Sequence, residues 1–192
     1  MSVLLCSEIL IAIYRFLPLL QNRLYMAKLY INKDIVADKD KMENWYLTGE
    51  EGLSFPDIQN FLSWIDPNDH VIDIEIHSCG GDAVEGYAIY DALRASGKQI
   101  SCTAVGRCAS MATVILLAAA KERRFAYPHA KFLIHKPYMA SYDGDLDLET
   151  LESIKSNLES EKNKMLALYV ERTGSEASVI EAQMNKAGWF GG

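Results

Sequence analysis

One short stretch limits the possible folds of this chain more than any other. Residues 71–76 read V-I-D-I-E-I, and this strict alternation of apolar and charged side chains is typical of a β-strand with one buried face. The strand runs toward the pair Gly80-Gly81, and a helical pattern over residues 83–95 follows at once. A strand that passes through a glycine turn into a helix is the repeating unit of α/β folds with parallel strands.

The same unit recurs further along the chain. Residues 100–105 predict a strand, and the almost uncharged residues 111–120 predict a buried helix directly after it. A further strand is expected at residues 131–134. Before the first unit, residues 28–35 predict a strand, followed by a loop rich in Asp and Lys.

A helix is expected after that loop, with Ser54 as its cap and Pro56 in its first turn. Apolar residues then recur with the period of one helix face, at Ile58, Phe61, Leu62 and Ile65.

The pattern changes after Pro137. Residues 148–172 predict one long helix with charges over most of its surface, and its apolar residues fall near heptad spacing: Leu151, Ile154, Leu158, Met165 and Leu168. We expect this helix to project from the body and to pack against another subunit.

Composition excludes several classes of function. A length of 192 residues suits one domain, and a net charge of -7 argues against a nucleic-acid-binding surface, which needs a basic face. The four cysteines, Cys6, Cys79, Cys102 and Cys108, form no C-x-x-C pair and have no nearby histidine cluster. We therefore expect reduced thiols in a cytoplasmic protein that needs no metal or cofactor.

The first 25 residues differ from the rest. They are apolar but interrupted by Glu8, Arg15 and Pro18, which argues against a membrane-spanning helix. We predict that residues 1–25 are an N-terminal extension outside the core, and that residues 26–192 form the functional domain. An amphipathic segment that docks on a partner subunit is the alternative.

Three strand ends carry the residues suited to chemistry. Ser110 stands where a strand turns into a helix, so it is either a helix cap or a nucleophile with the Met111 N–H beside it as an oxyanion donor. Gly81 offers a second N–H, and the alternative there is a plain tight turn. His135 ends a strand and can serve as the base that a serine needs. The other histidines, His70, His77 and His129, are expected in turns.

Together these segments resemble the Clp protease proteolytic subunits and the related Clp-like head-maturation proteases of phages. Four segments carry the resemblance: H-S-C-G-G-D-A-V-E-G-Y-A-I-Y-D-A-L (77–93), G-R-C-A-S-M-A (106–112), R-R-F-A-Y-P-H-A-K-F-L-I-H-K-P (123–137) and E-R-T-G (171–174). The resemblance spans about residues 27 to 190. It implies a ClpP/crotonase-like spiral of ββα units, with residues 148–172 as the projecting handle helix that pairs rings.

The resemblance also implies roles for matched positions. Ser110 corresponds to the nucleophile, His135 to the general base, and the Gly81 and Met111 amides to the oxyanion hole. The implied reaction is hydrolysis of peptide bonds through an acyl-enzyme, in a homo-oligomeric ring that acts on polypeptides. An AAA+ unfoldase is the implied partner, unless the chain is a prophage protease that processes capsid proteins; no membrane or nucleic acid is implied.

Two departures from the family pattern stand out. The family carries a catalytic acid shortly before an aromatic residue after the handle helix, whereas this chain has Ala187-Gly188 before Trp189, so the acid is not identifiable. The family also continues past the position of Gly192, so the C-terminal end looks truncated. A catalytically inactive ring-forming subunit is therefore the alternative function.

Two other families that share this fold are alternatives. A crotonase-type acyl-CoA enzyme would not need the pair of Ser110 and His135. A Ser–Lys peptidase would need Lys136 as its base, but neighbours on a strand point to opposite faces.

Overall fold

The structure is a computed structural model, and it describes residues 26–139, 142 and 144–191. Three parallel strands form its centre: β1 (Met26–Ile31), β2 (Val71–Ser78) and β3 (Gln99–Ala109). Met26 lies opposite Val71, and Val71 lies opposite Gln99. The parallel α/β arrangement expected from the sequence is confirmed.

The long strand β3 pairs with two short strands along its free edge. Its first half pairs with β4 (Arg124–Ala126) and its second half with β5 (Lys131–Leu133), both in parallel. A last strand, β6 (Phe190–Gly191), runs antiparallel to β5. The sheet order is β1-β2-β3-β5-β6, so the end of β3 lies beside β5.

Six α-helices connect or flank the strands in the described part of the chain. They are α1 (Lys41–Thr48), α2 (Phe55–Trp64), α3 (Ala83–Ala95), α4 (Met111–Leu116), α5 (Leu148–Thr173) and α6 (Ala177–Lys186). Short 3₁₀ turns cover Asp38–Asp40 and Lys121–Arg123. No helix among the described residues has the length and apolarity that crossing a bilayer requires.

Strand β2 shows why the sheet has one inner face. Its residues Ile72, Ile74 and Ile76 are fully buried, whereas the alternate residues Asp73 and Glu75 are partly exposed. Those two carboxylates form ion pairs with Lys28 of β1, at 3.1 and 2.7 Å. The isoleucines meet the apolar residues of α3 and α4, and this layer is the core of the domain.

Helices α2 and α3 begin with side-chain caps, and the one at Ser54 was predicted from the sequence. The Asp57 carboxylate accepts a hydrogen bond from the Ser54 N–H at 2.8 Å, and Pro56 lies in the first turn of α2. The Asp82 carboxylate accepts from the Glu85 N–H at 2.9 Å and caps α3.

Helix α4 is shorter than the sequence predicts, because it ends at Leu116 and not at residue 120. Two guanidinium groups bind the main-chain carbonyls that follow its last residue. Arg172 of α5 donates to the Leu117 and Ala119 carbonyls, both at 3.0 Å, and Arg124 donates to the Ala119 carbonyl at 2.9 Å. Cations at a helix C-terminus satisfy carbonyls that the helix itself leaves free.

Four elements were not expected from the sequence. The loop predicted after β1 contains α1, whose apolar residues Met42, Tyr46 and Leu47 are exposed. Strand β4, helix α6 and strand β6 are also additions. The predictions for residues 1–25 lie outside the described residues.

The two arginines give a test of the fold. We expect Arg172→Ala to lower the free energy of unfolding by about 2–3 kcal/mol, because it removes two charge-assisted hydrogen bonds and leaves the Leu117 carbonyl without its guanidinium partner, while Ala119 keeps that of Arg124. The exposed Arg94→Ala is the control and should change it by no more than about 0.5 kcal/mol. Urea unfolding at one fixed protein concentration measures both, and equal effects would contradict the capping role.

Candidate functional site

The backbone of Ser110 is the most unusual feature of the site. Its φ and ψ are 51° and −127°, the conformation of the second residue of a type II′ turn, which glycine usually occupies. Holding a serine there costs on the order of 1–3 kcal/mol. The turn joins the end of β3 to the start of α4 and leaves the Ser110 side chain partly exposed.

Hydrogen bonds on both sides hold this turn. The Ser110 N–H donates to the Leu133 carbonyl of β5 at 2.8 Å. The Ser110 carbonyl accepts from the Thr113 N–H at 2.9 Å and from the Thr113 hydroxyl at 2.6 Å. Since that hydroxyl has one proton, it must accept at its 2.5 Å contact with the Tyr169 hydroxyl of α5.

Tyr169 is suited to be the donor at the end of this chain. Burial raises the pKa of Tyr169 well above the ordinary value for a phenol, so the hydroxyl keeps its proton at any physiological pH. The long helix α5 is thereby linked through Thr113 to the backbone of Ser110.

The two glycines after β2 lie against the Ser110 turn. A Cβ on Gly80 would lie 2.6 Å from the Ala109 carbonyl oxygen and 2.7 Å from the Met111 nitrogen. A Cβ on Gly81 would lie 2.0 Å from the Ile35 carbonyl oxygen. Only glycine fits at either position, because the main chain of a neighbouring segment occupies the space.

Ile35 fixes the direction of the glycine turn. Its N–H donates to the Gly80 carbonyl and its carbonyl accepts from the Asp82 N–H, both at 2.8 Å. Gly81 lies between the Gly80 carbonyl and the Asp82 N–H that bind Ile35. In a parallel bridge of this kind, the middle residue points its own N–H away from the partner segment. The Gly81 N–H therefore stays outside the pairing with Ile35.

His135 reaches the site because β5 runs beside β3. Ala109 lies opposite Leu133, and the Ser110 N–H bonds to the Leu133 carbonyl, so the chain leaving β5 passes next to Ser110. Ile134 is buried, whereas His135 is partly exposed. Alternation along this extended segment accounts for the imidazole facing away from the core.

All four residues singled out from the sequence line one cleft of about 700 Å³: Gly81, Ser110, Met111 and His135. Lys136 does not line it and instead borders a second cavity beside α5. The arrangement can offer a hydroxyl, an imidazole and two main-chain N–H groups to one polypeptide carbonyl. Because α4 has only six residues, its dipole adds less to this anion site than a full helix would.

The histidine has a main-chain partner. The distance from the His135 Nδ1 to the Lys136 carbonyl oxygen is 2.5 Å, and the ring of Tyr138 lies 5.4 Å from the imidazole. Within the described residues no carboxylate is hydrogen-bonded to His135. The segment where the family pattern places an acid has Ala187 as the C-terminal cap of α6, with φ 48°.

Other groups near the site have structural roles or none. Cys79 is exposed and lines the cleft, whereas Cys102 and Cys108 are buried. Burial raises the pKa of the Cys102 thiol to about 12, so that thiol is unreactive. In the part of the chain that the structure describes, no group of three His, Cys, Asp or Glu residues is placed to hold a metal ion.

One histidine prediction was wrong. His77 lies within β2 and not in a turn, and its Nδ1 accepts from the Arg107 N–H at 3.4 Å. The cause is that β2 continues past Ile76 through a change of register before Ser78.

Sequence reasoning missed three residues that support the site. Thr113 follows Ser110 by three positions, a spacing at which a hydroxyl can bond back to a carbonyl, so it carried a usable signal. Ile35 and Tyr169 carried none, because each reaches the site only through tertiary contacts.

The family model described as Clp protease matches residues 57–192, a stretch that includes the whole Ser110 turn and His135. This chain belongs to the Clp protease family. The ATP-dependent Clp protease proteolytic subunit 1 of Chlamydia muridarum is 32% identical over 134 residues, which cover 68% of this chain and 67% of that protein. The proteolytic subunit of Porphyromonas gingivalis is 31% identical over 137 residues, covering 69% and 60%.

A solved structure agrees with the family assignment. A mutant of ClpP1 from Listeria monocytogenes superposes with a TM-score of 0.67 and covers 92% of this chain and 86% of its own, at 20% identity. At that identity the likeness concerns the fold alone. The ClpP-like α/β fold predicted from the sequence is confirmed.

The glycine turn gives a matched test of the site. Gly80 and Gly97 both have positive φ, 87° and 71°, but a Cβ on Gly97 meets nothing within 4 Å. We expect Gly80→Ala and Gly97→Ala each to cost about 1–2 kcal/mol of stability from the backbone conformation. Only Gly80→Ala should displace the Met111 N–H and slow the reaction of Ser110 with a fluorophosphonate about 100-fold or more.

Fluorophosphonate labelling rates and urea unfolding of both variants measure the two effects separately. Equal labelling rates in the two variants would contradict the role assigned to the Gly80 contact.

Proposed function

We propose that this protein is a serine endopeptidase of the Clp type, with Ser110 as nucleophile and His135 as general base. The observation that carries the proposal is the strained, doubly anchored turn at Ser110, in the same cleft as His135. A positive φ at a serine between a strand and a helix is expensive, and such strain persists where it serves a reaction. A helix cap alone would need no such conformation.

The reaction follows from the groups in the cleft. The Ser110 hydroxyl attacks the carbonyl carbon of a bound peptide bond while its proton passes to the His135 imidazole. The Gly81 and Met111 N–H groups stabilise the negative oxygen that forms. The imidazolium then gives the proton to the leaving amine. In the second half of the reaction, a water molecule gives a proton to His135, attacks the acyl carbon and displaces the Ser110 oxygen, which takes the proton back.

We further propose a ring-shaped homo-oligomer in which α5 pairs subunits. Leu151, the first residue of the apolar stripe, is 47% exposed, and Leu148 at the start of the same helix is 81% exposed. By contrast, the residues of the same helix that are buried in this subunit, Met165 and Tyr169, lie toward its C-terminal end. An exposed apolar stripe on a long helix favours association with another chain.

Two finer assignments remain proposals. The free thiols fit a reducing compartment such as the cytoplasm. Residues 171–174 and 184–190 favour a prophage protease that processes capsid proteins over a subunit served by an AAA+ unfoldase. A prophage protease would process its protein substrate with no ATPase present, whereas a subunit served by an AAA+ unfoldase would need that partner.

Fluorophosphonate labelling tests the proposed chemistry. We expect covalent modification of Ser110 in the assembled protein and none in Ser110→Ala. Removal of the base in His135→Ala should slow labelling about 100- to 10,000-fold. The matched control is His129→Ala, since His129 is exposed and is not among the residues that line the cleft. Mass spectrometry of the labelled peptide identifies the modified residue.

A second candidate is a non-catalytic ring-forming subunit. It is favoured by Ala187 and Gly188, which stand where the family pattern has an acid. Absence of labelling in an intact oligomer would support this candidate and reject the enzyme.

Restoring a carboxylate gives a further test. The pairs Lys131 with Gly191 and Phe132 with Phe190 hold β6 beside β5, and Ala187 precedes β6 at the C-terminal cap of α6, in the segment where the family pattern places an acid. Asp and Asn both tolerate the positive φ found at Ala187. We therefore expect Ala187→Asp to raise the labelling rate about tenfold over Ala187→Asn, because only the former stabilises an imidazolium. Equal rates in the two variants would show that position 187 has no electrostatic access to the base.

A further inference from the structure

The imidazole of His135 has its orientation set by its own main chain. Its Nδ1 lies 2.5 Å from the carbonyl oxygen of Lys136. A carbonyl oxygen can only accept a hydrogen bond, so a neutral imidazole in this position must carry its proton on Nδ1. The lone pair is then on Nε2, which is the tautomer that a general base needs when Nε2 faces the nucleophile.

Three carboxylates line the same cleft as His135, those of Asp34, Asp40 and Asp82, and none of them is hydrogen-bonded to the imidazole, whose partner is the Lys136 carbonyl. Glu181 of α6 forms an ion pair with Lys162, and that contact, with a smaller contribution from Lys136, lowers the pKa of the Glu181 carboxyl. Asp82 caps α3 by accepting from the Glu85 N–H. The Lys136 side chain borders one cavity and the His135 imidazole borders another. The influence of Lys136 on Glu181 therefore does not place the Glu181 carboxylate beside the imidazole.

We propose that the Lys136 main-chain carbonyl takes the positioning role that an acidic side chain performs in a three-residue serine protease site. This inference rests on the proposed function. The carbonyl fixes the ring orientation and the tautomer, and it supplies a dipole where a carboxylate would supply a full charge. The proton of the Ser110 hydroxyl moves to Nε2 during attack, while the Nδ1–H stays bonded to the Lys136 oxygen.

The peptide bond after Lys136 makes this carbonyl unusually easy to test. The next residue is Pro137, whose nitrogen carries no hydrogen, so replacing this amide by an ester removes no hydrogen-bond donor. An ester carbonyl is a weaker acceptor than an amide carbonyl. The test variant is Pro137→L-lactic acid, which has an ester and, like the unmodified protein, no N–H at residue 137. Pro137→Ala has the same side chain as the ester variant and keeps an amide, so it is the control for loss of the proline ring.

The direct readout is the tautomer of His135 by ¹⁵N NMR of the assembled protein at alkaline pH, where imidazoles are neutral. The signal is assigned by its loss in His135→Ala. We expect the Nδ1–H tautomer in the unmodified protein and in Pro137→Ala, and a mixture of tautomers in the ester. Fluorophosphonate labelling of the ester should be slower than that of Pro137→Ala by roughly three- to tenfold.

Lys136→Ala separates the side chain from the main chain: it keeps the carbonyl, so the Nδ1–H tautomer should persist. A neutral His135 with its proton on Nε2, or an ester with unchanged tautomer and rate, would overturn the proposal. A protein with the Nδ1–H tautomer that is never labelled would instead reject the proposed enzyme and leave the positioning contact intact.

Discussion

The structure depends on one backbone constraint, the positive φ of Ser110. The turn is held from β5 by the Leu133 carbonyl and from α4 by Thr113. Net contributions of about 0.5–1.5 kcal/mol from each of these hydrogen bonds are enough to offset a strain of on the order of 1–3 kcal/mol. The position of the hydroxyl is therefore set by the sheet and the helix together, and neither alone would hold it.

The same helix that is expected to join subunits also supports this turn. Tyr169 and Arg172 lie one turn apart on α5; the first holds Thr113 and the second holds the carbonyls at the end of α4. Both ends of α4 are thus fixed by α5. A shift of α5 would move both ends of α4 through these hydrogen bonds and so displace the Ser110 turn. The surface expected to bind another subunit is therefore physically linked to the cleft.

Much of the fold could be predicted from the sequence, because it is written in local periodicity. The alternation of Ile72, Ile74 and Ile76 fixed the inner face of β2, and the spacing after Ser54 gave α2 and its cap. The additional elements carried weaker signals. Helix α1 has only eight residues and buries none of them, so its pattern is too short to separate it from a loop. Helix α6 has only Ile180 and Met184 buried, which is too little to separate it from a loop.

The sequence by itself determined the order of the central strands and helices and the residue types at their strand ends, since both follow from neighbours along the chain. Only the tertiary structure decided that Ser110, His135 and the two glycines meet in one cleft, because parallel pairing of β3 with β5 joins segments separated by some twenty residues. It also decided what the imidazole faces. Local sequence showed no carboxylate near Trp189, but the partner that Nδ1 finds is a main-chain oxygen, and every residue offers one of those.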